Sequence, residues 1–212
     1  MTIQYRRATP EDFAAIVDLF VVNMNLSVFT TATDKQVLKQ LATLFLAKDC
    51  HHATFIQVAE YDDIICGVVI GNTRQDPHKA LSFDDKPIID QIENKLGLSK
   101  QGQQVLSDLQ KKETAGAKRK TVNFDSELQF FCVDPNYRRH RIGATLIQAF
   151  EAYLVAQGAD TYALHTDTLC TYQYYDNNGY QCVDEYPNRL NSQIMHYTYA
   201  KSLSQQACID YL

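Results

Sequence analysis

The hydrophobic positions of this chain repeat with two different periods, which predicts a mixture of helices and strands. After Thr9-Pro10 and after Thr33-Asp34, apolar residues recur every third or fourth position, so an amphipathic helix is predicted to begin at each point. Residues 3–6, IQYR, can form a short first strand, and apolar runs at residues 53–60 and 64–71 predict two more that are close enough in sequence to form a hairpin. The first third of the chain is therefore expected to fold as strand, helix, helix and hairpin.

A strand followed by a helix is the clearest pattern in the second half of the chain. The apolar run from Leu128 to Val133 stops at Asp134-Pro135, where a proline usually closes a strand. Apolar residues then recur every fourth position from Ile142 to Leu154, which is typical of a helix that packs on a sheet. Further strands are predicted at residues 161–166, 180–186 and 193–201, and a short helix at residues 168–176. Because a helix separates the central strand from the next one, we expect these two strands to be parallel.

Residues 72–125 separate the hairpin from the central strand. This connection is about ten times longer than the usual connection of about 4–6 residues. Apolar helical repeats begin near Pro87 and near Ser99, so the segment is predicted to be a helical insertion of at least two helices.

Composition limits the class of protein. At 212 residues, of which 45 % are hydrophobic, the chain can bury one sizeable core, and we expect a single domain over residues 1–212. Charges stand where a signal peptide needs its apolar core, and no stretch approaches the roughly 20 apolar residues of a membrane span, so a cytoplasmic protein without a membrane partner is expected. The six cysteines contain no Cys-x-x-Cys pair, so neither a metal site nor disulfides are expected. A net charge of −5 argues against nucleic-acid binding and favours a cationic partner.

Three arginines and a histidine stand where the central helix is predicted to begin. Residues 138–141 occupy the positive end of the helix dipole, where a cation is unfavourable by roughly 0.3–1 kcal/mol. No Ser, Thr, Asp or Asn immediately precedes Ile142 to cap the free backbone N–H groups. Uncapped N–H groups beside arginines favour a phosphate-binding site, whereas a solvent-exposed basic turn is the alternative.

Two motifs resemble those of the GNAT superfamily of N-acetyltransferases. Residues 133–146, VDPNYRRHRIGATL, resemble its acetyl-CoA signature, Arg/Gln-x-x-Gly-x-Gly/Ala, with Arg138 first, Gly143 last and Arg141 in place of the first glycine. Residues 174–180, YYDNNGY, resemble its Phe-Tyr-x-x-x-Gly-Phe block, at the expected distance after the helix. The resemblance implies an α/β fold with a mixed, mainly antiparallel twisted sheet of about 6–7 strands and helices on both faces. Its central parallel strand pair would be splayed at the cofactor site, and the helical insertion, residues 72–125, would lie between strands 3 and 4.

The same resemblance implies transfer of an acetyl group from acetyl-CoA, without a metal, to a primary amine. Backbone amides at the start of the helix would hold the pyrophosphate, and the Val133 amide would meet the thioester carbonyl. The chain departs from the family at Thr168 and Thr171, where many members have Asn and Ala. The residues implied to bind the co-substrate are Phe131, Cys132, Val133, Arg138, Arg139, His140, Arg141, Ile142, Gly143, Ala144, Thr168 and Thr171.

Two residues are candidates for the proton transfers. By resemblance, Glu127 is the general base, and its even separation from Val133 predicts that both side chains share a face of the strand. Asp125 is the alternative base, and an ordinary carboxylate at a strand end is the structural alternative. Tyr175 matches the tyrosine that protonates the departing thiolate of coenzyme A. Candidates for contact with the acceptor, by resemblance only, are Asn25, Ser27 and Phe29.

The identity of the acceptor is left open by these motifs. The favoured interpretation is a small, cationic amine that attacks directly within a ternary complex. A protein lysine or N-terminal acetyltransferase is the first alternative, and a non-catalytic acyl-CoA-binding regulator is the second. The insertion is interpreted as a lid over the acceptor side, a contact in a possible homodimer, or a solvent-exposed addition without either role.

Overall fold

The computed structural model describes residues 2–116 and 123–203, which form a seven-stranded sheet with helices on both faces. The strands are β1 (Gln4–Arg7), β2 (Phe55–Tyr61), β3 (Ile64–Thr73), β4 (Ser126–Val133), β5 (Thr161–Asp167), β6 (Gln181–Pro187) and β7 (Met195–Ser202). Their order across the sheet is β1-β2-β3-β4-β5-β7-β6. The neighbours β4 and β5 are parallel, and the other neighbouring pairs are antiparallel. The predicted fold class is therefore confirmed.

Helices cover the two faces of the sheet through two separate apolar clusters. The helices are α1 (Phe13–Asn23), α2 (Lys35–His52), α3 (Lys86–Gly97), α4 (Lys100–Gly116), α5 (Ile142–Ala156) and α6 (Gln173–Asp176). Buried residues of α1 to α4 form one cluster with one face of the sheet. Buried residues of α5 form the second cluster with the opposite face. Within the residues described, no helix combines the length and the apolar character that crossing a membrane requires.

The apolar stripe of α5 fixes this helix against the sheet. Ile142, Leu146, Phe150 and Leu154 are each at most 1 % exposed. Burial of one such side chain stabilises the fold by about 1.5–3 kcal/mol, so this stripe determines where the helix lies. Gly71 of β3 makes room for it, because a Cβ atom there would lie 2.4 Å from the Phe150 ring.

The predicted short helix at residues 168–176 is mostly a turn. Only Gln173–Asp176 is helical. The preceding residues bond to other groups instead: the Leu169 amide donates to Asp167 Oδ1 at 2.8 Å, and the Thr168 amide donates to the Met195 carbonyl at 3.0 Å. A side chain that satisfies the backbone in this way competes with helix formation.

The two parallel strands separate soon after they meet. Within the described residues, β4 and β5 pair only at Glu127–Ala163 and at Leu128–Leu164. From Gln129 to Val133, no described strand pairs with β4 on its β5 side. A wedge-shaped gap therefore opens between the strands toward the start of α5, as the predicted splay requires.

A bulge in β4 changes which side chains share a face of the sheet. The pairing with β3 skips Gln129, which is the extra residue of the bulge. Leu128 and Val133 consequently pack in the same cluster beside α5. Glu127 lies on the other side, where its charge acts on Asp49 of α2. The prediction that Glu127 and Val133 share a face was wrong. Residues at even separation share a face only in an unbroken strand, and the bulge at Gln129 lies between these two residues.

Candidate active site

The turn between β4 and α5 exposes a group of backbone N–H donors. No side chain caps α5, and the N–H groups of residues 141–144 donate to no other described residue. The Thr145 amide is the first to bond back, to the Arg141 carbonyl at 3.0 Å. Free N–H groups and the helix dipole together attract an anion at the N-terminus of such a 15-residue helix.

Two arginines of this turn have a left-handed backbone. Arg139 has φ 70° and Arg141 has φ 59°, a conformation that costs a non-glycine residue roughly 1–2 kcal/mol. Position 141 is the one where the GNAT signature has glycine, so the structure gives that glycine a conformational reason. Turns of this kind direct successive N–H groups toward one point, which suits an anion.

The basic side chains of the turn extend into solvent. Residues 138–141 are all exposed. Arg138 Nη2 reaches across to α1 and donates to Asn23 Oδ1 at 3.3 Å. The turn is therefore both positively charged and accessible.

A glycine keeps the start of α5 close to β4. A Cβ atom at Gly143 would lie 3.1 Å from Phe131 Cζ and 3.6 Å from Val133 Cγ2. A larger residue would push the first turn of the helix away from the strand. The free amides of residues 141–144 are thus held beside the unpaired part of β4, and the structure brings these two sets of predicted residues together.

The Val133 amide faces the gap between the strands. The Asp134 amide donates a hydrogen bond to the Cys66 carbonyl of β3 at 2.9 Å. Successive amides of a strand point to opposite edges, so the Val133 amide points toward β5. Because β5 does not pair with this part of β4, the N–H group is available to a ligand.

Three predicted residues make contacts within the protein. Cys132 is buried in the cluster beside α1 and α2, and burial raises the pKa of its thiol. Thr168 Oγ1 accepts a hydrogen bond from the Met195 amide at 3.2 Å. Thr171 is exposed, and its carbonyl accepts the Tyr174 amide at 3.1 Å. The side chains of Cys132 and Thr168 therefore contact other parts of the protein, and the side chain of Thr171 is exposed to solvent.

Tyr175 lies in α6, packed among other tyrosines. Its ring centroid is 5.5 Å from that of Tyr174, 5.1 Å from that of Tyr180 and 5.5 Å from that of Tyr199. Burial is the main cause that raises the pKa of Tyr175, with a smaller effect from Cys170. The hydroxyl bonds to no other described residue and keeps its proton at neutral pH, as a proton donor must.

Ionisable side chains of three elements meet on the α1–α2 side of the gap. Glu127 Oε1 of β4 is 3.8 Å from His165 Nε2 of β5. Asp49 of α2 is half-buried, and burial followed by the negative charge of Glu127 raises its pKa to about 7. Lys112 and Lys48 act in the opposite direction on the same carboxyl. A carboxyl whose pKa is near neutrality can accept and release a proton at physiological pH.

Asp125, the alternative base, has a different environment. Its carboxylate is 3.2 Å from Arg74 Nη1, and both side chains are more than 60 % exposed. It therefore resembles an ordinary surface ion pair.

The predicted acceptor residues lie in the loop between α1 and α2. Asn25 and Ser27 are exposed, and Asn25 Oδ1 accepts the Ser27 amide at 3.1 Å. Phe29 is half-buried, and its ring meets the Phe45 ring of α2 edge-on, with 4.8 Å between centroids.

The insertion is bonded to this same loop. Asp108 of α4, which is 5 % exposed, accepts from Thr30 Oγ1 at 3.0 Å and from the Thr31 amide at 3.1 Å. Gln101 Oε1 accepts the two backbone amides that precede α2, at 2.7 and 2.8 Å. Helix α4 therefore fixes the shape of the loop.

The connection between β6 and β7 reaches the same region. Arg189 donates to the Lys111 carbonyl of α4, and the buried Asn188 donates to the Val28 carbonyl at 2.7 Å. The insertion, the α1–α2 loop and the β6–β7 connection thus form one continuous structure on the α1–α2 side.

Sequence reasoning missed Asp49, His165 and Gln129. Asp49 comes from a helix distant in sequence from β4, and no local motif marks it. His165 lies two residues beyond Ala163, which pairs with Glu127. If the register between β4 and β5 were known from the sequence, His165 would be predicted to lie near Glu127. Gln129 Oε1 is buried without a hydrogen-bond partner among the described residues, just beyond the last residue of β4 that pairs with β5, and the bulge accounts for its position.

Comparison with known proteins agrees with this geometry. The model of the acetyltransferase (GNAT) family matches residues 101–175, which include β4, the basic turn, α5, β5 and Tyr175. No curated protein sequence matched the chain.

Solved structures share the fold at low sequence identity. A protein of Corynebacterium glutamicum described as histone acetyltransferase HPA2 and related acetyltransferase has a TM-score of 0.58 and 17 % identity, covering 95 % of this chain and 96 % of its own. PaiA N-acetyltransferase from Thermoplasma acidophilum, in complex with coenzyme A, has a TM-score of 0.54 and 12 % identity, covering 95 % and 99 %. Mosquito arylalkylamine N-acetyltransferase like 5b has a TM-score of 0.53 and 15 % identity, covering 95 % and 100 %.

The two sequence motifs, the splayed parallel strands and the matched family model point to the same conclusion. Residues 101–175 match the acetyltransferase (GNAT) family, and the chain shares the fold of solved acetyltransferases.

Proposed function

We propose that this chain transfers an acetyl group from acetyl-CoA to a primary amine of a small, cationic molecule, by direct attack in a ternary complex. The observation that carries the proposal is the unpaired edge of β4 beside the free amides of residues 141–144. It provides a strand edge for an extended ligand and an anion site at one end of that edge.

The residues present fit acetyl-CoA. Free amides at an uncapped helix, in a turn with three arginines, suit a pyrophosphate. The orphaned Gln129 Oε1 and the unpaired edge of β4 offer hydrogen-bonding groups to the amide groups of a pantetheine arm. Acetyl-CoA supplies a thioester-activated acetyl group.

The chain supplies the remaining chemistry. The Val133 amide donates a hydrogen bond to the carbonyl oxygen as negative charge develops there. Glu127 removes the proton from the acceptor ammonium, directly or through a water molecule. The Tyr175 hydroxyl donates a proton to the departing thiolate. These three groups come from β4 and from the helix that follows β5, on the two sides of the gap.

The insertion favours a small acceptor over a protein. Helix α4 is bonded both to the α1–α2 loop, through Asp108, and to the β6–β7 connection, through Arg189. A side closed in this way admits a small amine more readily than an extended peptide. Among proteins with this fold, one is described as an arylalkylamine N-acetyltransferase and another as a histone acetyltransferase, so the fold is compatible with both classes.

A non-catalytic acyl-CoA-binding regulator is the second candidate. Such a protein needs the anion site but neither proton carrier. The unbonded, protonated hydroxyl of Tyr175 and the carboxyl groups of Glu127 and Asp49 favour the enzyme.

A thiol-release assay tests the proposal. Purified protein is incubated with acetyl-CoA and separately with alkylamines, diamines, aminoglycosides and lysine peptides, and free coenzyme A is measured. We expect turnover with small cationic amines. Turnover with peptides alone would support the protein acetyltransferase instead, and acetyl-CoA binding without turnover on any amine would support the regulator.

A further inference from the structure

An ammonium group of the chain itself rests on the aromatic pair of the acceptor side. Lys112 Nζ of α4 is 4.4 Å from the centroid of the Phe29 ring and 5.9 Å from that of Phe45. The two rings stand edge-on at 4.8 Å. A cation within about 6 Å of a ring face is attracted by the ring quadrupole. We call Phe29, Phe45 and Asp49 the cation box.

The third member of the cation box supplies negative charge. Lys112 and Asp49 act on each other electrostatically: the lysine lowers the pKa of the carboxyl, and the carboxyl opposes the desolvation that lowers the pKa of the lysine. In the described part of the chain, no ion pair within 4.0 Å joins them. The Asp49 carboxylate is therefore close enough to Lys112 to attract its charge. Because the two groups are not in direct contact, another cation can form an ion pair with Asp49.

Helix α4 holds Lys112 in this position. Its anchors are Asp108 and Gln101 on the α1–α2 loop, together with Arg189 on the carbonyl of the neighbouring Lys111. Lys111 itself points elsewhere, with its amine 3.9 Å from Asp108 Oδ1. Of two adjacent lysines, only the second reaches the aromatic pair.

The cation box also lies near the proposed base. The negative charge of Glu127 raises the pKa of Asp49, which requires the two carboxyl groups to be near each other. An acceptor whose reacting nitrogen is at Glu127 could therefore extend toward Phe29 and Phe45. A positive charge at the far end of that acceptor would meet the surroundings that Lys112 now has.

We infer that the cation box binds a second ammonium group of the acceptor, and that Lys112 is a tethered occupant that the acceptor displaces. This inference rests on the proposed function and narrows the substrate class to diamines and longer polyamines. A monoamine has no group to replace the Lys112 ammonium, so it gains nothing from the box.

Calorimetric titration tests the inference with two amines of the same length. 1,4-Diaminobutane carries the second ammonium, and n-pentylamine has a methyl group in its place. Both are titrated into the protein with saturating coenzyme A present. Lys112→Ala should tighten binding of the diamine by about 3- to 30-fold, the range of one cation–π contact, and leave n-pentylamine unchanged. Lys111→Ala is the matched control and should change neither amine.

A second variant changes the cation box itself and leaves Lys112 in place. Titrated at a pH about one unit above the Asp49 pKa of about 7, where the carboxyl is ionised, Asp49→Asn should weaken the diamine at least about tenfold more than n-pentylamine, because it removes the negative charge of the box. Equal changes for the two amines in either variant, or a diamine effect as large in Lys111→Ala, would overturn the inference.

Failure of the proposed function has a different signature. Without acetyl transfer, neither amine would release thiol from acetyl-CoA in the native protein or in the variants. Calorimetry would still report whether the diamine competes with Lys112, so the two claims fail independently.

Discussion

Tyr175 has the surroundings of a proton donor. Three tyrosine rings fix its position, burial raises its pKa, and its hydroxyl bonds to no described residue. The sequence motif identified this residue, because the spacing of the Tyr-Tyr-x-x-x-Gly block is local. The packing that keeps the hydroxyl protonated involves Tyr199 of β7 and could not be read from that motif.

We expect Tyr175→Phe to lower kcat about 10- to 10³-fold, the range for loss of a general acid, because the departing thiolate loses its proton donor. Calorimetry should show an acetyl-CoA Kd within about twofold of the native value. Tyr174→Phe removes the adjacent hydroxyl and should leave kcat nearly unchanged. Native turnover in Tyr175→Phe would exclude this residue from the reaction.

Glu127 and Asp49 should together determine the acidic limb of the pH profile of kcat/KM. Activity falls as pH decreases below the range in which the base is ionised, and the pKa of Asp49 is raised to about 7. Glu127→Gln should shift or remove this limb, and any remaining limb should move to lower pH, because the charge that raises the pKa of Asp49 is gone. Because the pKa of Asp49 depends on the charge of Glu127, the profile of Asp49→Asn is measured beside that of Glu127→Gln.

Asp125→Asn is the control for this pH profile, because Asp125 is exposed and paired with Arg74. A limb that changes only in Asp125→Asn would transfer the role of base to that residue. A limb unaffected by all three substitutions would assign it to ionisation of the acceptor amine.

At the scale of elements, the turn between β4 and α5 combines backbone strain with free donors. Arg141 has a left-handed backbone in the position where the family has glycine. Its neighbours in α5 have amides without a partner among the described residues. The turn therefore depends on backbone conformation more than on the side chain at position 141.

Arg141→Gly should preserve acetyl-CoA binding, with a change in Kd below about tenfold, or ~1.4 kcal/mol. Relief of the left-handed strain should leave the protein equally stable or more stable by about 1 kcal/mol in chemical denaturation. Arg138→Gly is the control, because its φ of −66° is ordinary and glycine there should only destabilise.

Arg141→Glu places a negative charge at the proposed phosphate site and should weaken acetyl-CoA binding well beyond tenfold. Titration at two salt concentrations should show a smaller difference at the higher one, because the repulsion is screened. If the glutamate variant binds as tightly as the native protein, the phosphate does not lie at this turn.

The buried carboxylate of Asp108 joins α4 to the α1–α2 loop, alongside Gln101. Asp108→Ala would leave the Thr30 hydroxyl and the Thr31 amide without their acceptor. We expect a loss of about 1–3 kcal/mol in the free energy of unfolding. The KM of the acceptor should rise, whereas the Kd of acetyl-CoA should not change, since the proposed acetyl-CoA site lies on the opposite face of the sheet.

Asp90→Ala provides the comparison for this junction, since Asp90 is an exposed residue of α3 in the same insertion. Equal effects of the two substitutions on stability and on KM would mean that the insertion has no specific role on the acceptor side.

At the scale of the whole molecule, the proposed acetyl-CoA site and the proposed acceptor site lie on opposite faces of the sheet. The α5 side carries the proposed anion site and Tyr175, and the α1–α2 side carries Glu127, Asp49 and the insertion. Sequence periodicity predicted nearly all helices and strands, because each follows from the burial of its own stripe or face. The bulge at Gln129 was not predictable from periodicity. One extra residue leaves an apolar pattern before it and after it, so the sequence still resembles a single continuous strand. Asp49 was missed because its relation to Glu127 exists only after folding.

Hydrogen–deuterium exchange with and without acetyl-CoA tests the location of the site most directly. In the free protein, the amides of residues 141–144 donate to no described residue and should exchange rapidly. We predict that acetyl-CoA slows exchange at least about tenfold in residues 131–144, together with residues 165–176, and leaves the α3–α4 insertion nearly unaffected. Unchanged exchange at residues 131–144, with slowing elsewhere or nowhere, would contradict the assignment of the acetyl-CoA site to the gap between β4 and β5.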